Sequence, residues 1–331
     1  MKRYLRNIFF FSLPLVSIII GYYVISDPFM TIRLYDDYWP QYGRQCHNDV
    51  VRAVRLMDKY DDSLHYNSFI IGNSRSDFYY VDDWKQYLRE DASCFHFNQS
   101  ADDLYGTLQR IRYLYNRFHR IDNLLIIVDA DYLRDMSKHT GHLYRIPAVV
   151  TGNPLDEIVF RIEEMRAFYN LDFQKSWIRG EVPNSNNGTT SYNPYLNEVY
   201  KDAAEKHITT MSIQEYNETL SSELRLYQRS RLDSVAPRAI FERQEAALKE
   251  IAEYVKKGDT EVKIIVSPLY DQIKINPEDI KILKTIYGES NVWDFSGINK
   301  YTDNVKNYYE NSHYRPMLCR ELLRVIYEEM K

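Results

Sequence analysis

Apolar positions in this chain fall into continuous runs and helical stripes, and these alternate along most of its length. The most apolar run, Asn7 to Ser26, holds twenty residues without a charge, among them Ile8-Phe9-Phe10-Phe11 and Ile18-Ile19-Ile20. As a helix rising about 1.5 Å per residue it spans roughly 30 Å, the hydrocarbon thickness of a bilayer. Lys2, Arg3 and Arg6 precede it, and Asp27, Asp36 and Asp37 follow it. The positive-inside rule therefore places the N-terminus in the cytoplasm and the remainder outside. A cleaved signal peptide would have a shorter apolar core and a small-x-small cleavage site. Here the run ends on Gly21-Tyr22-Tyr23-Val24-Ile25, which is bulky. That favours an uncleaved anchor held in the lipid bilayer through residues 7–26; Pro14 is tolerated in such a span.

Beyond the anchor, short apolar runs predict buried strands at Asn67–Ile71, Cys94–Phe97, Asn123–Val128 and Val262–Val266, with a weaker one at Asn291–Trp293. Asn123–Val128 is continuously apolar, as suits a strand buried on both faces. Helical stripes lie between them. Positions 104, 108, 111, 114/115 and 118 share one face of Leu104–His119. Asn153-Pro154 opens Leu155–Tyr169, with Ile158, Ile162, Met165 and Tyr169 on one side. Ile240, Leu248, Ile251 and Val255 line a helix stopped by Gly258. Asn276-Pro277 opens Ile280–Tyr287, and Pro316 opens the last helix.

Strands alternating with helices predict an α/β fold with a parallel sheet covered on both faces. Residues 171–235 break the pattern. They are polar, Asn-rich around Pro183–Pro194, then helical without a strand, and read as an insertion or cap over the sheet. Residues 28–66 form a polar connector ending in a helix at Asp49–Tyr60. The predicted organisation is a cytoplasmic tip and anchor over 1–27, the connector over 28–66, and one α/β domain over 67–331 carrying the insertion.

Charge narrows the choice of partners. The 331 residues include 42 Lys plus Arg against 47 Asp plus Glu, and the part beyond residue 27 carries a net −7. A general nucleic-acid surface needs a basic face, so none is expected. The 30 tyrosines suit a surface that touches sugars or partners. Cys46, Cys94 and Cys319 show no CxxC spacing, which leaves one disulfide with a spare thiol as an open option outside the cytoplasm. Sequons stand at Asn187 and Asn217. His139-x-x-His142 has a metal-ligand spacing but no Cys or acidic ligand beside it, so no metal and no cofactor is expected.

In an open parallel sheet, ligands bind beyond the carboxyl ends of the strands. Gly72-Asn73-Ser74-Arg75-Ser76 follows the first predicted strand directly and would project Ser74 at its end. Glu310-Asn311-Ser312-His313-Tyr314-Arg315-Pro316 lies between the last predicted strand and the last helix. A serine nucleophile needs a base within hydrogen-bond reach and a carboxylate to orient that base. Ser74 and His313 can meet that requirement, and Glu310 reaches the other imidazole nitrogen when both sit on one turn. Asp294 and Asp303 are alternative carboxylates.

The order strand, GNSRS, helix, then Val292-Trp-Asp-Phe-Ser-Gly297, then ENSHYRP before a C-terminal helix, resembles the SGNH/GDSL hydrolase superfamily. Within it, the chain is similar to the membrane-anchored branch met among cell-envelope polysaccharide and lipoteichoic-acid acylation proteins. The resemblance runs from about Asn67 to the C-terminus, with its specific motifs at the two ends. It implies a flavodoxin-like three-layer α/β/α sandwich that cleaves or transfers ester-linked acyl groups, with Ser74 as nucleophile and His313 as base. Three departures stand out. Asn73 replaces the usual Asp, Glu310-x-x-His313 replaces Asp-x-x-His, and Val128-Asp-Ala-Asp131 stands where Gly-x-Asn-Asp is expected. The last removes a side-chain oxyanion donor, so the amides of Ser74 or Arg75, with one from Ser100 or Ala101, would have to serve. Arg75 and Arg315 either hold an anionic substrate group or pair with acidic neighbours.

The expectation is thus a bacterial single-pass inner-membrane protein with its main domain periplasmic or otherwise extracytoplasmic. It would act on acyl, foremost acetyl, esters of an envelope polysaccharide or glycolipid, as an esterase with water or as an O-acyltransferase with a sugar hydroxyl. The resemblance also implies a membrane-bound O-acyltransferase as partner. The rival expectation is a non-catalytic scaffold or binding module of an envelope glycan export or acylation complex.

Overall fold

A computed structural model describes residues 2–35, 47–180, 191–212, 214–216, 218, 226–229 and 232–328. Helix α1 (Lys2–Ser26) is long and apolar enough to cross a membrane, and almost none of it is buried in the protein. It is followed by α2 (Asp49–Leu64), β1 (Ser68–Ile71), α3 (Val81–Lys85), β2 (Cys94–His96), α4 (Leu104–Arg117), β3 (Asn123–Val128) and α5 (Ala130–Arg134). Next come α6 (Ala148–Thr151), α7 (Pro154–Phe168), α8 (Leu171–Ile178), β4 (Ser191–Asn193), β5 (Glu198–Tyr200) and α9 (Asp202–Thr210). The chain closes with α10 (Glu242–Lys257), β6 (Glu261–Val266), α11 (Pro277–Tyr287), β7 (Val292–Asp294), α12 (Lys300–Asp303), β8 (Tyr308–Glu310), β9 (His313–Tyr314) and α13 (Pro316–Glu328).

The fold is α/β, with a five-stranded sheet in the order β2-β1-β3-β6-β7 whose pairs are all parallel. Because side chains alternate across a strand, the apolar runs feed two separate cores. Phe69, Ile71, Leu124, Ile126, Ile264 and Val266 join apolar residues of α2, α4, α10 and α11. Ile70, Leu125, Ile127 and Ile265 join Trp84 of α3 and Leu318, Leu322 and Ile326 of α13. Local signals start the helices as expected. The Asn48, Asp103, Asn153 and Asn276 side chains accept from first-turn amides of α2, α4, α7 and α11.

Four sequence readings are changed or made specific. First, the 171–235 segment contains strands: β4 and β5 form an antiparallel pair that docks on the free edge of β2. The His96 amide donates to Leu196 O at 3.0 Å, and Asn197 Nδ2 donates to His96 O at 2.8 Å. Second, the turn that Glu310 and His313 share is the tight β8–β9 hairpin, across which they are strand partners. Third, the face of α7 that carries Ile158 and Ile162 points outward, and the opposite face is buried. Fourth, Cys94 and Cys319 are free, buried thiols and not a disulfide pair; Cys46 and both sequon asparagines lie outside the described residues.

Candidate active site

The site begins where β1 ends. A Cβ on Gly72 would lie 2.9 Å from Ser76 Cβ and 3.1 Å from Ile127 O, so only glycine lets the chain turn this tightly against β3. Asn73 then caps the short 3₁₀ turn Ser74–Phe78, its Oδ1 accepting the Arg75 amide at 3.0 Å. Ser74 is thereby held as the first residue of the turn, beyond the carboxyl end of β1 and only partly buried.

His313 arrives from the far end of the chain. The β8–β9 hairpin brings His313 Nε2 to 2.8 Å from Ser74 Oγ. His313 Nδ1 bonds Glu310 Oε1, and the other carboxylate oxygen accepts the Ser312 amide at 2.9 Å. The Phe78 ring meets the imidazole edge-on, with centroids 5.7 Å apart. Burial alone would push the Glu310 carboxyl up, but the hydrogen bonds from His313 and the Ser312 amide, with the charge of Lys201, leave it below its ordinary value. Glu310 is thus an ionised acceptor at neutral pH. Neither alternative carboxylate bonds to His313: Asp294 pairs with Lys274 at 2.8 Å, and Asp303 accepts from Gln272 at 2.9 Å.

Arg75 braces the two halves. Its Nε donates to Ser312 O at 3.2 Å, its Nη1 pairs with Asp129 Oδ2, and Asn73 Nδ2 donates to the same carboxylate oxygen at 3.3 Å. Asp129 follows β3 and also caps α5 through the Asp131 and Tyr132 amides, both at 3.1 Å. The ion pair of Asp129 with Arg75 depends on the sheet order that sets β1 beside β3, which the sequence does not show.

The other candidates are placed differently. Arg315 is buried and spends its guanidinium on Glu205 at 2.9 and 3.0 Å, on Lys306 O at 2.9 Å and on Thr209 at 3.2 Å. It fastens α9 to the hairpin and offers nothing to a substrate anion. The Ser100 amide donates to Asp49 Oδ2 at 2.9 Å and is unavailable as an oxyanion donor, as is the Arg75 amide capped by Asn73. That leaves the amides of Ser74 and Ala101, neither bonded to an acceptor among the described residues. Ala101 is exposed with φ +54°, a left-handed backbone that a non-glycine residue adopts at a cost. His139 pairs with Asp103 and His142 packs on Phe29, so the two do not converge on one point.

A second serine–histidine–glutamate line runs beneath the site and was missed from sequence. His96 Nε2 lies 3.3 Å from Ser76 Oγ, and His96 Nδ1 lies 3.5 Å from Glu198 Oε1. Exposure separates the two: Ser76 is 0%, and His96 and Glu198 are each 2% exposed. The Ser76 hydroxyl also donates to Asn73 O at 2.7 Å. This inner line therefore supports the Ser74–Phe78 turn and is closed to solvent. Alongside the Arg75–Asp129 pair, beyond the ends of β3 and β6, opens a cleft of about 260 Å³. Asp129, Asp131 and Asp271 supply its acidic groups, and Val235, Val266 and Ile273 part of its apolar wall. Burial raises the Asp271 carboxyl above its ordinary value. Ser74 and His313 are not in its wall; it meets the site through Asp129. No protein-family profile matches the chain, and no curated protein is similar to it in sequence.

Proposed function

We propose that the protein is a membrane-anchored, extracytoplasmic serine esterase or O-acyltransferase of SGNH/GDSL type. It acts on acyl, foremost acetyl, esters of an envelope polysaccharide or glycolipid. The observation that carries this reading is the unbroken line from Ser74 Oγ through both nitrogens of His313 to the Glu310 carboxylate. His313 Nε2 takes the Ser74 proton as Oγ attacks the ester carbonyl, and Glu310 stabilises the imidazolium that forms. The carbonyl oxygen, now an anion, is received by the Ser74 and Ala101 amides. His313 returns the proton to the departing alcohol oxygen, leaving an acyl-Ser74 ester. Water or a sugar hydroxyl, deprotonated by His313, then takes the acyl group and frees Ser74.

Two further features support the reading. The sheet order, second, first, third, fourth, fifth strand, is that of flavodoxin-like layered folds. The apolar α1 agrees with an inner-membrane anchor, the charge bias around it with a cytoplasmic N-terminus and a periplasmic domain. A missing oxyanion donor costs roughly a hundredfold to a thousandfold in rate, which suits slow transfer beside a membrane-bound O-acyltransferase better than fast hydrolysis. The scaffold alternative draws on that same loss of donors, the Arg75 and Ser100 amides being committed elsewhere.

Full-length protein in detergent, with p-nitrophenyl acetate as substrate, separates the two. Turnover present in wild type and lost in both Ser74→Ala and His313→Ala, with unchanged circular dichroism, supports the enzyme. Equal background rates in all three remove it for this substrate class.

A further inference from the structure

Helix α7 is built inside out for a water-soluble domain. Its buried positions are Asp156, Phe160, Glu164 and Phe168, a four-residue repeat in which two of the four are carboxylates. Its opposite face presents Leu155, Ile158, Val159 and Ile162 at 66%, 57%, 38% and 58% exposure. Val149 of α6 and Leu171 and Ile178 of α8 add to the exposed apolar surface. A helix on a soluble domain turns such a stripe toward the core, and a contiguous apolar patch left outside marks a docking surface.

The buried acids show why the helix faces this way. Glu164 accepts from Tyr23 OH at 2.6 Å, from the Thr31 hydroxyl at 2.7 Å and from Arg161 Nη1 at 2.7 Å. These bonds lock α7 to the end of α1 and to the first turn after it. Phe168 packs on Tyr22 and Tyr23, with centroids 5.2 and 6.0 Å apart, and on Trp177 of α8 at 6.0 Å. The contacts reach back into the apolar run itself, because Tyr169 OH donates to Ile19 O. Ile19 stands seven residues before the end of α1 at Ser26, which at 1.5 Å per residue is about 10 Å along its axis. Helices that lie in a membrane interface sit about 5–10 Å into the headgroup–acyl boundary. Tyr22, Tyr23, Tyr169 and Trp177 gather around Phe168 near that end of α1, and such rings favour membrane–water boundaries. The exposed Asp172–Lys175 pair of α8 adds charge beside the exposed Leu171.

We propose that α7 and α8 lie in the outer-facing membrane interface, with Leu155, Ile158, Val159 and Ile162 among the lipid. The occupant of the apolar face is the bilayer, because α7 is bonded through Glu164 and Tyr169 to α1, whose own exposed residues require the same solvent. The inference rests on reading α1 as a membrane anchor. Attachment is then two-part, a spanning helix and a surface-lying pair, and the domain is held at fixed height and tilt. It does not swing freely on its connector.

The test uses the full-length chain, purified and reconstituted into phosphatidylglycerol–phosphatidylethanolamine vesicles without other proteins. An environment-sensitive fluorescent amino acid is introduced singly at positions 11, 158, 162 and 249. Lipids carrying a doxyl quencher near the top of the acyl chain report contact. Quenching by more than about half at 158 and 162, as at 11 within the anchor, with little at 249, is the expected result. Loss of the signal at 158 on adding Ile162→Asp and Val159→Asp, with that at 11 retained, supports it further. Quenching at 11 alone overturns the inference and leaves the face for a protein partner. Absence of quenching at 11 overturns the anchor reading as well.

Discussion

Glu310→Gln is the sharpest probe of how the site works, because a neighbouring backbone amide dictates which way the new side chain faces. In the native site one carboxylate oxygen takes His313 Nδ1 and the other takes the Ser312 amide at 2.9 Å. Glutamine has one acceptor oxygen, and the Ser312 amide, a donor, holds it. The NH₂ group is then turned onto Nδ1, where it can only donate. The imidazole must carry its proton on Nε2, the nitrogen that should accept from Ser74. A wrong tautomer of this kind has cost about 10⁴ in turnover in the serine-protease triad, or about 5.5 kcal/mol at 1.36 kcal/mol per decade. Here the pair is less sealed, with His313 30% and Glu310 28% exposed, so a fall of about 10³ in kcat is expected, with KM nearly unchanged. Stability should move by no more than about 1 kcal/mol, as for other part-exposed ion pairs. The assay is p-nitrophenyl acetate hydrolysis alongside thermal unfolding. A Gln variant within about threefold of wild-type kcat would refute the orienting role of Glu310.

Three further outcomes follow from the geometry. Gly72→Ala forces a Cβ to 2.9 Å from Ser76 and 3.1 Å from Ile127 O, so it should cost about 1–3 kcal/mol and lower kcat by displacing the Ser74 turn; unchanged denaturant midpoint and kcat would contradict this. Arg315→Met removes the partner of Glu205 and should destabilise by about 1–3 kcal/mol while kcat per folded molecule stays within about threefold; a large rise in KM with stability intact would instead make Arg315 a substrate ligand. Burial, with a contribution from Arg52, pushes the His47 imidazole from 6.5 down to about 4. Below pH 6.5 the unfolded chain binds a proton that the folded chain refuses until about pH 4, so this group's share of stability falls through that window by up to about 3 kcal/mol. His47→Gln should therefore gain on wild type in urea unfolding between pH 7 and pH 4.5, and a pH-independent difference would show that the histidine titrates normally in the fold.

How much of this was readable from sequence depended on whether the signal was local. β1, β3 and β6 announced themselves because strands buried on both faces read as short apolar runs, broken within Val262–Val266 only by Lys263. β4 and β5, three residues each and drawn from an Asn- and Tyr-rich stretch, carry no such run; the edge of β2 selects them. The spacing of Glu310 and His313 fits a helical turn as well as a tight hairpin, and only the pairing of Tyr308 with Tyr314 decides for the hairpin. Periodicity found the apolar stripe of α7 but not its direction, which is fixed by Tyr23 and Thr31 binding Glu164 more than 130 positions away. Among the site residues, Ser74, His313 and Glu310 are brought within bonding distance. Arg315 is drawn off by Glu205, 110 positions away. Which amides remain for an oxyanion was illegible, because it is set by side chains elsewhere, Asn73 and Asp49, that occupy the others.

The central claim, that Ser74 is a nucleophile activated by His313, is tested most directly by covalent capture. The full-length protein is treated with a fluorophosphonate probe, and the adduct is located by peptide mass spectrometry in wild type and His313→Ala. The account predicts a single adduct on Ser74 in wild type, at least about a hundredfold slower to form in the variant. No adduct under conditions that label a control serine esterase, or one on a serine other than Ser74, would contradict it.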